Sequence, residues 1–349
     1  MTERDSLLQH VPAGSRLLFV AAAGTGNIGD EAMLSGLLTR LGGRYRVTVT
    51  SADPEATRSL HGVAALSPSA AVRGLSASEA VIIGGGSLFT RAMGARGRLI
   101  PLFGLVAIAS RKPVSLVGVS LERDVPSPNG PLLRTLVRKA AEVRVRDAKS
   151  ASRASTWGAE AVVEPDLSSW MPAQPLHRAR ELLMGSGVHF NRPIVALCLT
   201  AVDPPLAERL RDEIPQVVAA MPELQFVVLP MSHHPTARHE DDLRFAQEIA
   251  RTVPALPVLP AALDPRDVLG LFGAFDAAVC MRYHSLLFAH RSRLPVVAIP
   301  YADKCTIWLA EQGLPAYPAD ANAIVAALVS ALERPPARQA SGAGKAAKW

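Results

Sequence analysis

The sequence predicts an α/β protein made of two Rossmann-like domains, each built around a parallel β-sheet. Short apolar runs recur along the chain before Gly or Pro, and helical stretches lie between several of them, which is the alternation typical of a doubly wound sheet. The length points the same way, because 349 residues exceed one ordinary hydrophobic core of roughly 150 residues. Two domains of this class follow.

The predicted strands fall into two series. The first contains RLLFVAA, YRVTVT, EAVIIG, PVSLVGVS, EVRVRD and AEAVVE, and the second, after residue 190, contains PIVALCLT, LQFVVLPM, ALPVLP, DAAVCM and PVVAIPY. Pro and turn-forming residues concentrate between 168 and 190. We therefore expect an N-terminal domain over 1–175, a C-terminal domain over 176–335 and a disordered Pro/Gly/Ala-rich tail over 336–349.

Charge and cysteine usage narrow the partners and the compartment. The net charge of +6 favours anionic ligands. The basic residues are spread along the chain without interleaved aromatics, so nucleic-acid binding is not expected. The three cysteines show no paired spacing, which favours a reducing compartment.

No stretch predicts a transmembrane segment. The longest charge-free apolar run, LIPLFGLVAIAS, is too short to span a bilayer, and the N-terminus carries early acids and no apolar leader region. We therefore expect a cytoplasmic protein. Peripheral membrane contact through basic residues stays open, although no strong amphipathic anchor is present.

The stretch GTGNIGDE contains the G-x-G-x-x-G pattern after a predicted strand, with Asp53 placed as in a dinucleotide fingerprint. However, Asp30 and Glu31 would repel a pyrophosphate at the following helix N-terminus. Two alternatives stay open. One of these acids caps the helix, or Asn27 and Asp30 bind or deprotonate hydroxyls of a polar substrate.

Two further stretches carry candidate binding groups. In VIIGGGSLF, the main-chain N–H groups of Gly84, Gly85, Gly86 and Ser87 are placed to bind an anion, and no Walker lysine follows. In MRYHSLLFAHRSRLPVVAIPYADK, cations, an imidazole and a hydroxyl follow neighbouring strands and are expected at one sheet edge. These are Arg282, His284, Ser285 and Lys304.

These stretches, together with RVRDAKSASRASTWGAE, resemble the polysaccharide pyruvyl transferase family in order, from about Gly24 to Tyr301. The resemblance implies a glycosyltransferase-B-like pair of domains facing a cleft, with the acceptor on the N-terminal and the donor on the C-terminal side. It implies transfer of a pyruvyl group from phosphoenolpyruvate to two hydroxyls of a sugar or glycan acceptor as a ketal. No metal and no bound cofactor are required, since phosphoenolpyruvate is a co-substrate.

The resemblance also transfers site residues by position. The N-terminal loop contributes Asn27, Gly29 and Asp30, the glycine turn Gly84–Gly86, the mid-chain RD pair Arg146 and Asp147, and the C-terminal signature Arg282, His284, Ser285 and Lys304.

Roles follow from residue chemistry. Arg282 is expected to bind one anionic group of the donor in bidentate fashion, with Lys304 or the glycine turn on the other. His284 is the expected general acid. Asp30, on the other side of the cleft, is expected to activate or orient the attacking hydroxyl, and the remaining site residues to bind substrate.

Three other functions remain as alternatives. A glycosyltransferase using a nucleotide sugar shares the architecture, and a non-catalytic carbohydrate-binding protein retains part of the site. An NAD-dependent enzyme is least favoured. The cluster around His233, His234 and His239 matches no zinc spacing, so a polar loop is expected there rather than a metal site.

Overall fold

The structure is a computed structural model that describes residues 7–86, 88–89, 96–121, 129–234 and 237–333. These residues form two compact units. The first comprises the chain up to Thr25 together with Asp30–Met171, and the second comprises Gly26–Gly29 together with the chain from Pro172. A four-residue segment of the N-terminal loop therefore belongs to the second unit. Ser87 and the tail 336–349 lie outside the described residues.

The first unit contains a seven-stranded parallel sheet. Its strands are β1 Arg16–Ala23, β2 Arg46–Ser51, β3 Ala64–Leu66, β4 Ala80–Gly86, β5 Val114–Val119, β6 Glu142–Val145 and β7 Val162–Val163. The spatial order is β3-β2-β1-β4-β5-β6-β7. The order reverses between β1 and β4, so the carboxyl ends of these two strands flank the crevice where such sheets bind ligands.

Helices cover both faces of this sheet, which explains why its central strands read as continuous apolar runs. Phe19, Ile82 and Leu116 are completely buried on neighbouring strands. The helices are α1 Ile28–Leu41, α2 Pro54–His61, α3 Ala71–Ala77, α4 Arg96–Ala109, α5 Asn129–Lys139 and α6 Ala148–Thr156.

The second unit contains a four-stranded parallel sheet. Its strands are β8 Ile194–Cys198, β9 Gln225–Val228, β10 Ala277–Cys280 and β11 Val296–Ala298, and its helices are α7 Leu176–Gly185, α8 Pro204–Ala220, α9 Asp242–Thr252, α10 Pro265–Phe272, α11 Tyr283–Arg291, α12 Asp303–Glu311 and α13 Ala321–Glu333. The order is β11-β10-β8-β9. Here the chain reverses between β8 and β10, which makes their carboxyl ends the expected ligand edge.

The predicted fold class, two Rossmann-like α/β units with parallel sheets, is confirmed. One local prediction was wrong, and one strand was not predicted. ALPVLP is not a strand and forms one isolated bridge between Val228 and Val258, because Pro254, Pro257 and Pro260 cannot donate to a sheet ladder. The short, alanine-rich β3 carried no recognisable strand signal.

None of the described helices combines the length and the apolarity that crossing a membrane requires.

Candidate functional site

The core of the site in the second unit is an ion pair between Arg282 and Asp242. Arg282 follows β10 and donates from Nε to Oδ2 of Asp242 at 2.9 Å and from Nη2 to Oδ1 at 2.7 Å. Nη2 also donates to the main-chain oxygen of Glu240 at 3.1 Å. The Asp242 side chain is 0% exposed and that of Arg282 11%. The bidentate partner of Arg282 is thus a buried carboxylate of the protein.

Burial raises the pKa of the Asp242 carboxyl, although the Arg282 guanidinium, the Thr200 hydroxyl just beyond β8 and the main chain of Met231 beyond β9 act in the opposite direction. Burial disfavours charge on Arg282, but the Asp242 carboxylate outweighs this effect and raises the pKa of the guanidinium above its usual range. The cation is therefore permanent and fixed in position.

We predicted that Arg282 binds an anionic group of the donor in bidentate fashion, but the structure shows that its bidentate partner is Asp242. Nε and Nη2 are already taken, and no described residue accepts a hydrogen bond from Nη1. Since Nη1 carries two N–H groups, Arg282 retains one nitrogen for an external anion. It is also the residue that precedes α11, and its side chain makes no cap hydrogen bond.

His284 lies in the first turn of α11 and packs against the N-terminal loop segment that belongs to the same unit. A Cβ atom built on Gly29 would lie 1.9 Å from Nδ1 of His284. On its other sides the imidazole meets Tyr283 edge-on, with ring centroids 5.4 Å apart, and Phe288 at 6.3 Å. The imidazole therefore occupies the space that a Cβ atom of residue 29 would need, and glycine leaves that space free.

The segment Gly26–Gly29 is fixed by main-chain bonds. Ile28 N donates to Met231 O at 3.0 Å and His233 N to Gly26 O at 2.9 Å, and Asn27 forms an antiparallel bridge with Ser232. The Asn27 Oδ1 accepts from Gly29 N at 2.9 Å. In this structure Asn27 therefore caps α1, while its predicted contact with substrate stays a prediction.

Replacing Gly29 with alanine should displace the His284 imidazole. The ring can rotate away, so we expect the free energy of unfolding to change by less than about 2 kcal/mol. The turnover number should fall on the order of 10²-fold, the usual cost of misplacing a catalytic group by about 1 Å. Steady-state kinetics and urea denaturation measure both quantities.

Gly185→Ala is the matched control, because nothing lies within 4 Å of the Cβ position of Gly185 at the end of α7. Normal turnover in the Gly29→Ala variant would show that the position of His284 does not limit catalysis.

Ser285 and Lys304 occupy different environments. Ser285 is 0% exposed and its hydroxyl donates to Arg282 O at 2.6 Å. The predicted contact of Ser285 with substrate does not fit this burial, and the residue instead shapes the turn that carries Arg282. Lys304 is exposed in the first turn of α12, with Nζ 5.8 Å from the centroid of the Tyr301 ring.

The buried thiol of Cys305 reports on the charge at this edge. Burial raises its pKa to about 11, although the positive charges of Lys304 and Arg282 act in the opposite direction. Both cations are therefore within electrostatic reach of one group, as expected for residues that follow the adjacent strands β10 and β11.

The histidine-rich loop does not form a metal centre in the part of the chain that the structure describes, since no three His, Cys, Asp or Glu side chains converge there. His233 Nδ1 lies 3.2 Å from Asp241 Oδ1, and His239 Nε2 lies 3.7 Å from Glu240 Oε1. His234 Nδ1 accepts from Ala237 N at 2.9 Å. These are local contacts within one loop.

In the first unit, the glycine turn ends β4. Gly84 is required by sheet packing, because its Cβ would lie 2.0 Å from Val117 O on β5. Gly85 and Gly86 have φ of 84° and 87°, which other residues rarely adopt. A Cβ on Gly86 would lie 3.9 Å from Asp30 Oδ1. The turn and Asp30 thus meet at the carboxyl edge of β1 and β4.

The two acids of the opening loop have different surroundings. Glu31 is 6% exposed and accepts from Gly24 N at 2.7 Å through Oε1. Its Oε2 lies 2.7 Å from His61 Nε2. Asp53, the acid that a dinucleotide would need, accepts from two main-chain N–H groups at the start of α2. Glu31 and Asp53 are therefore structural, and neither matches a role in dinucleotide binding.

The mid-chain pair Arg146 and Asp147 follows β6. Arg146 Nε donates to Ser120 Oγ at 2.6 Å, and Nη1 lies 3.6 Å from Asp166 Oδ2. Asp147 caps α6 by accepting from Ser150 N at 2.7 Å. The Arg146 side chain is 6% exposed, so it links the ends of β5, β6 and β7, and its contact with substrate stays a prediction.

Sequence reasoning missed the residues that hold Arg282. Asp242 lies in the histidine-rich loop and was not predicted as the partner of Arg282, because a sequence does not reveal which distant segments meet. The available signal was position: Thr200 ends one predicted strand and Arg282 follows another, as residues at a ligand edge do.

The two units define an α/β protein of the glycosyltransferase-B-like class. A family model described as polysaccharide pyruvyl transferase matches residues 27–303, and the chain belongs to this family. The resemblance drawn from the motifs is thereby confirmed. Membership indicates a transferase of polysaccharide pyruvylation. No match was found among curated proteins.

Solved structures support the fold. The chain is similar to a UDP-GlcNAc 2-epimerase from Neisseria meningitidis, with TM-score 0.60, 13% identity and 91% of each chain covered. It is similar to the UDP-GlcNAc 2-epimerase of Methanocaldococcus jannaschii with a TM-score of 0.61 and 10% identity, covering 92% of this chain and 94% of that chain. It is also similar to a sucrose-phosphate synthase from Thermosynechococcus elongatus with a TM-score of 0.54 and 11% identity, covering 90% of this chain and 89% of that chain. At such identities the likeness concerns the fold alone.

Proposed function

We propose that the protein transfers the enolpyruvyl carbons of phosphoenolpyruvate to two hydroxyls of a sugar-containing acceptor and forms a pyruvate ketal. The observation that carries this proposal is the Arg282–Asp242 pair: a cation fixed at a ligand edge, beside His284, in a member of the pyruvyl transferase family. A donor with two anionic groups suits this edge.

The donor binds to the second unit. Nη1 of Arg282 and the main-chain N–H groups of the first turn of α11 receive one anionic group, since a helix N-terminus favours negative charge. Lys304 at the neighbouring strand end meets the other. Because Asp242 fixes the guanidinium before the donor arrives, little conformational entropy is lost on binding.

His284 supplies the proton. In the first step an acceptor hydroxyl oxygen bonds to C2 of phosphoenolpyruvate, its proton passes to a base, and His284 protonates the methylene carbon. In the second step the other hydroxyl oxygen bonds to C2, its proton passes to the departing phosphate, the C2–O bond to phosphate breaks, and inorganic phosphate leaves. The two steps give one ketal and one phosphate, with no electron transfer.

The acceptor belongs to the first unit in this proposal. Asp30 is the base or the group that orients the hydroxyl, and Gly85 and Gly86 leave main-chain groups accessible beside it. No cofactor is assigned, because side chains and main-chain donors suffice to stabilise the developing charge.

Calorimetric titration of phosphoenolpyruvate into the wild type and a Lys304→Ala variant tests the donor site. We expect saturable binding by the wild type and a loss of about tenfold or more in affinity in the variant, since a hydrogen bond to a charged group contributes roughly 1.5–3 kcal/mol. UDP and NAD serve as comparison ligands. Phosphate release and product mass with sugar acceptors then test transfer.

Arg192→Ala is the matched control, because it removes the same charge at the amino end of β8, where Arg192 is exposed and donates to Pro222 O. It should bind phosphoenolpyruvate like the wild type. Binding of UDP without binding of phosphoenolpyruvate would overturn the proposal in favour of a nucleotide-sugar enzyme.

A further inference from the structure

The first unit contains an apolar cavity that the donor chemistry leaves unused. It has a volume of about 370 Å³ and lies between the carboxyl ends of β1 and β2 and the helices α3 and α4. An engineered apolar cavity of about 150 Å³ accepts benzene, so this one has room for a considerably longer hydrocarbon. None of the described residues that line it has an ionisable side chain.

The sequence explains why this space is open. β1 begins with the large side chains of Leu17 and Leu18, which are buried in the core, but it ends in the alanines of Ala21–Ala23. Thr50 and Ala52, at the end of β2, are also small. Small residues at the ends of two adjacent strands leave the cavity, while Leu75 and Phe103 from the helices close its sides.

The rim of the cavity is unusually apolar for a protein surface. Val72, Leu99, Leu102 and Val106 line it and are 73%, 61%, 47% and 47% exposed, respectively. Four large apolar side chains grouped around one opening mark a binding surface rather than a scatter of surface residues. Sugars and phosphoenolpyruvate would find no polar partner there.

Charge near the rim indicates which hydrocarbon fits. Arg73, next to Val72 on the rim, is exposed, and none of the described residues that line the cavity is acidic. Positive charge beside an apolar cavity suits an amphipathic molecule that joins a hydrocarbon chain to a phosphate.

The cavity also adjoins the edge assigned to the acceptor. Leu88, two residues after the glycine turn, lines it and is 2% exposed. β1, which supplies its floor, pairs with β4, which ends in that turn. A chain held in the cavity would thus place its polar end near Gly86 and Asp30.

We propose that this cavity binds the hydrocarbon chain of a lipid-linked acceptor, whose polar end reaches the carboxyl edge of β1 and β4. The assignment of the bound molecule as acceptor rests on the proposed function, whereas the hydrocarbon site itself does not.

Titration of dodecyl phosphate, below its micelle concentration, tests the cavity in the full-length protein. We expect saturable binding by the wild type and at least about tenfold weaker binding by Leu99→Glu and by Val72→Glu, because each places a charge where the chain enters. Both side chains are exposed, so these variants should fold. Met184→Glu, at an apolar residue of α7 that is 58% exposed, should bind normally.

Other occupants have distinct signatures. Inorganic phosphate that binds as tightly as dodecyl phosphate would overturn the hydrocarbon site. Binding to phosphatidylglycerol vesicles without binding of dodecyl phosphate would point to a membrane surface instead. A dimer in light scattering that Leu99→Glu dissociates would assign the rim to a second copy of the chain.

The two proposals fail separately. If dodecyl phosphate binds and phosphoenolpyruvate does not, the cavity stands and the proposed function falls. If phosphoenolpyruvate binds and the rim variants leave dodecyl phosphate affinity unchanged, the cavity assignment falls alone.

Discussion

Replacing His284 with asparagine is expected to lower the turnover number for pyruvyl transfer by about 10²- to 10⁴-fold, the usual contribution of a general acid. Asparagine keeps a polar side chain of similar reach but has no proton to deliver at neutral pH. The affinity for phosphoenolpyruvate should change little, because Arg282 and Lys304 carry the assigned anion contacts. Steady-state kinetics together with calorimetric titration separate the two effects.

His290→Asn provides the matched control on the same helix. His290 lies at the other end of α11 and packs edge-on against Trp308, with ring centroids 5.5 Å apart. Burial lowers its pKa, and we assign it no role in the transfer, so its loss should leave turnover near that of the wild type. If His284→Asn and His290→Asn gave the same kinetics, His284 would not be the proton donor.

The second large effect concerns stability. Replacing Asp242 with alanine should lower the free energy of unfolding by about 3–5 kcal/mol, the usual cost of leaving one member of a buried ion pair uncompensated. The Arg282 guanidinium would lose both of its short contacts with the carboxylate while remaining largely buried. Urea denaturation followed by circular dichroism measures the loss.

An exposed ion pair provides the comparison. Arg211 and Glu248 lie 2.9 Å apart with side chains 44% and 29% exposed, so Glu248→Ala should cost less than about 1 kcal/mol. Equal losses in Asp242→Ala and Glu248→Ala would show that burial of the first pair does not matter. The double variant Asp242→Leu with Arg282→Met should lose less than Asp242→Ala, because no buried charge remains.

Arg282 is better tested by substitution with lysine than with alanine. Arg282→Ala would leave Asp242 buried without its partner, so weak binding of the donor could reflect misfolding. Arg282→Lys keeps a positive charge beside Asp242 but loses the planar Nη1 donor. It is therefore the better probe of the donor contact.

Much of the fold could be predicted because it depends on local patterns. Continuous apolar strands bounded by Gly and Pro predicted parallel sheets, and ten of the eleven strands in the described part of the chain overlap predicted runs. Pro254, Pro257 and Pro260 could have excluded ALPVLP, since proline punctuation is visible in the sequence. β3 could not be predicted, because three residues of low β-propensity form a strand only through pairing with β2.

The candidate site was predicted less completely. Arg282, His284 and Lys304 were predicted because they come soon after the strands that form β10 and β11, and their contact with substrate stays a prediction. Their partners were not predicted. Asp242 lies 40 residues from Arg282 in the chain, and Gly29 reaches His284 from the N-terminal loop.

The sequence by itself determined the class of fold and the family, because both depend on patterns within short windows. Only the tertiary structure decided that Arg282 is held by Asp242, that Glu31 and Asp53 serve the loop and a helix cap, and that a cavity opens beside Ala21–Ala23. The reason is physical. The partner of a side chain and the position of a cavity depend on which distant segments of the chain pack together, and no local sequence pattern encodes that packing.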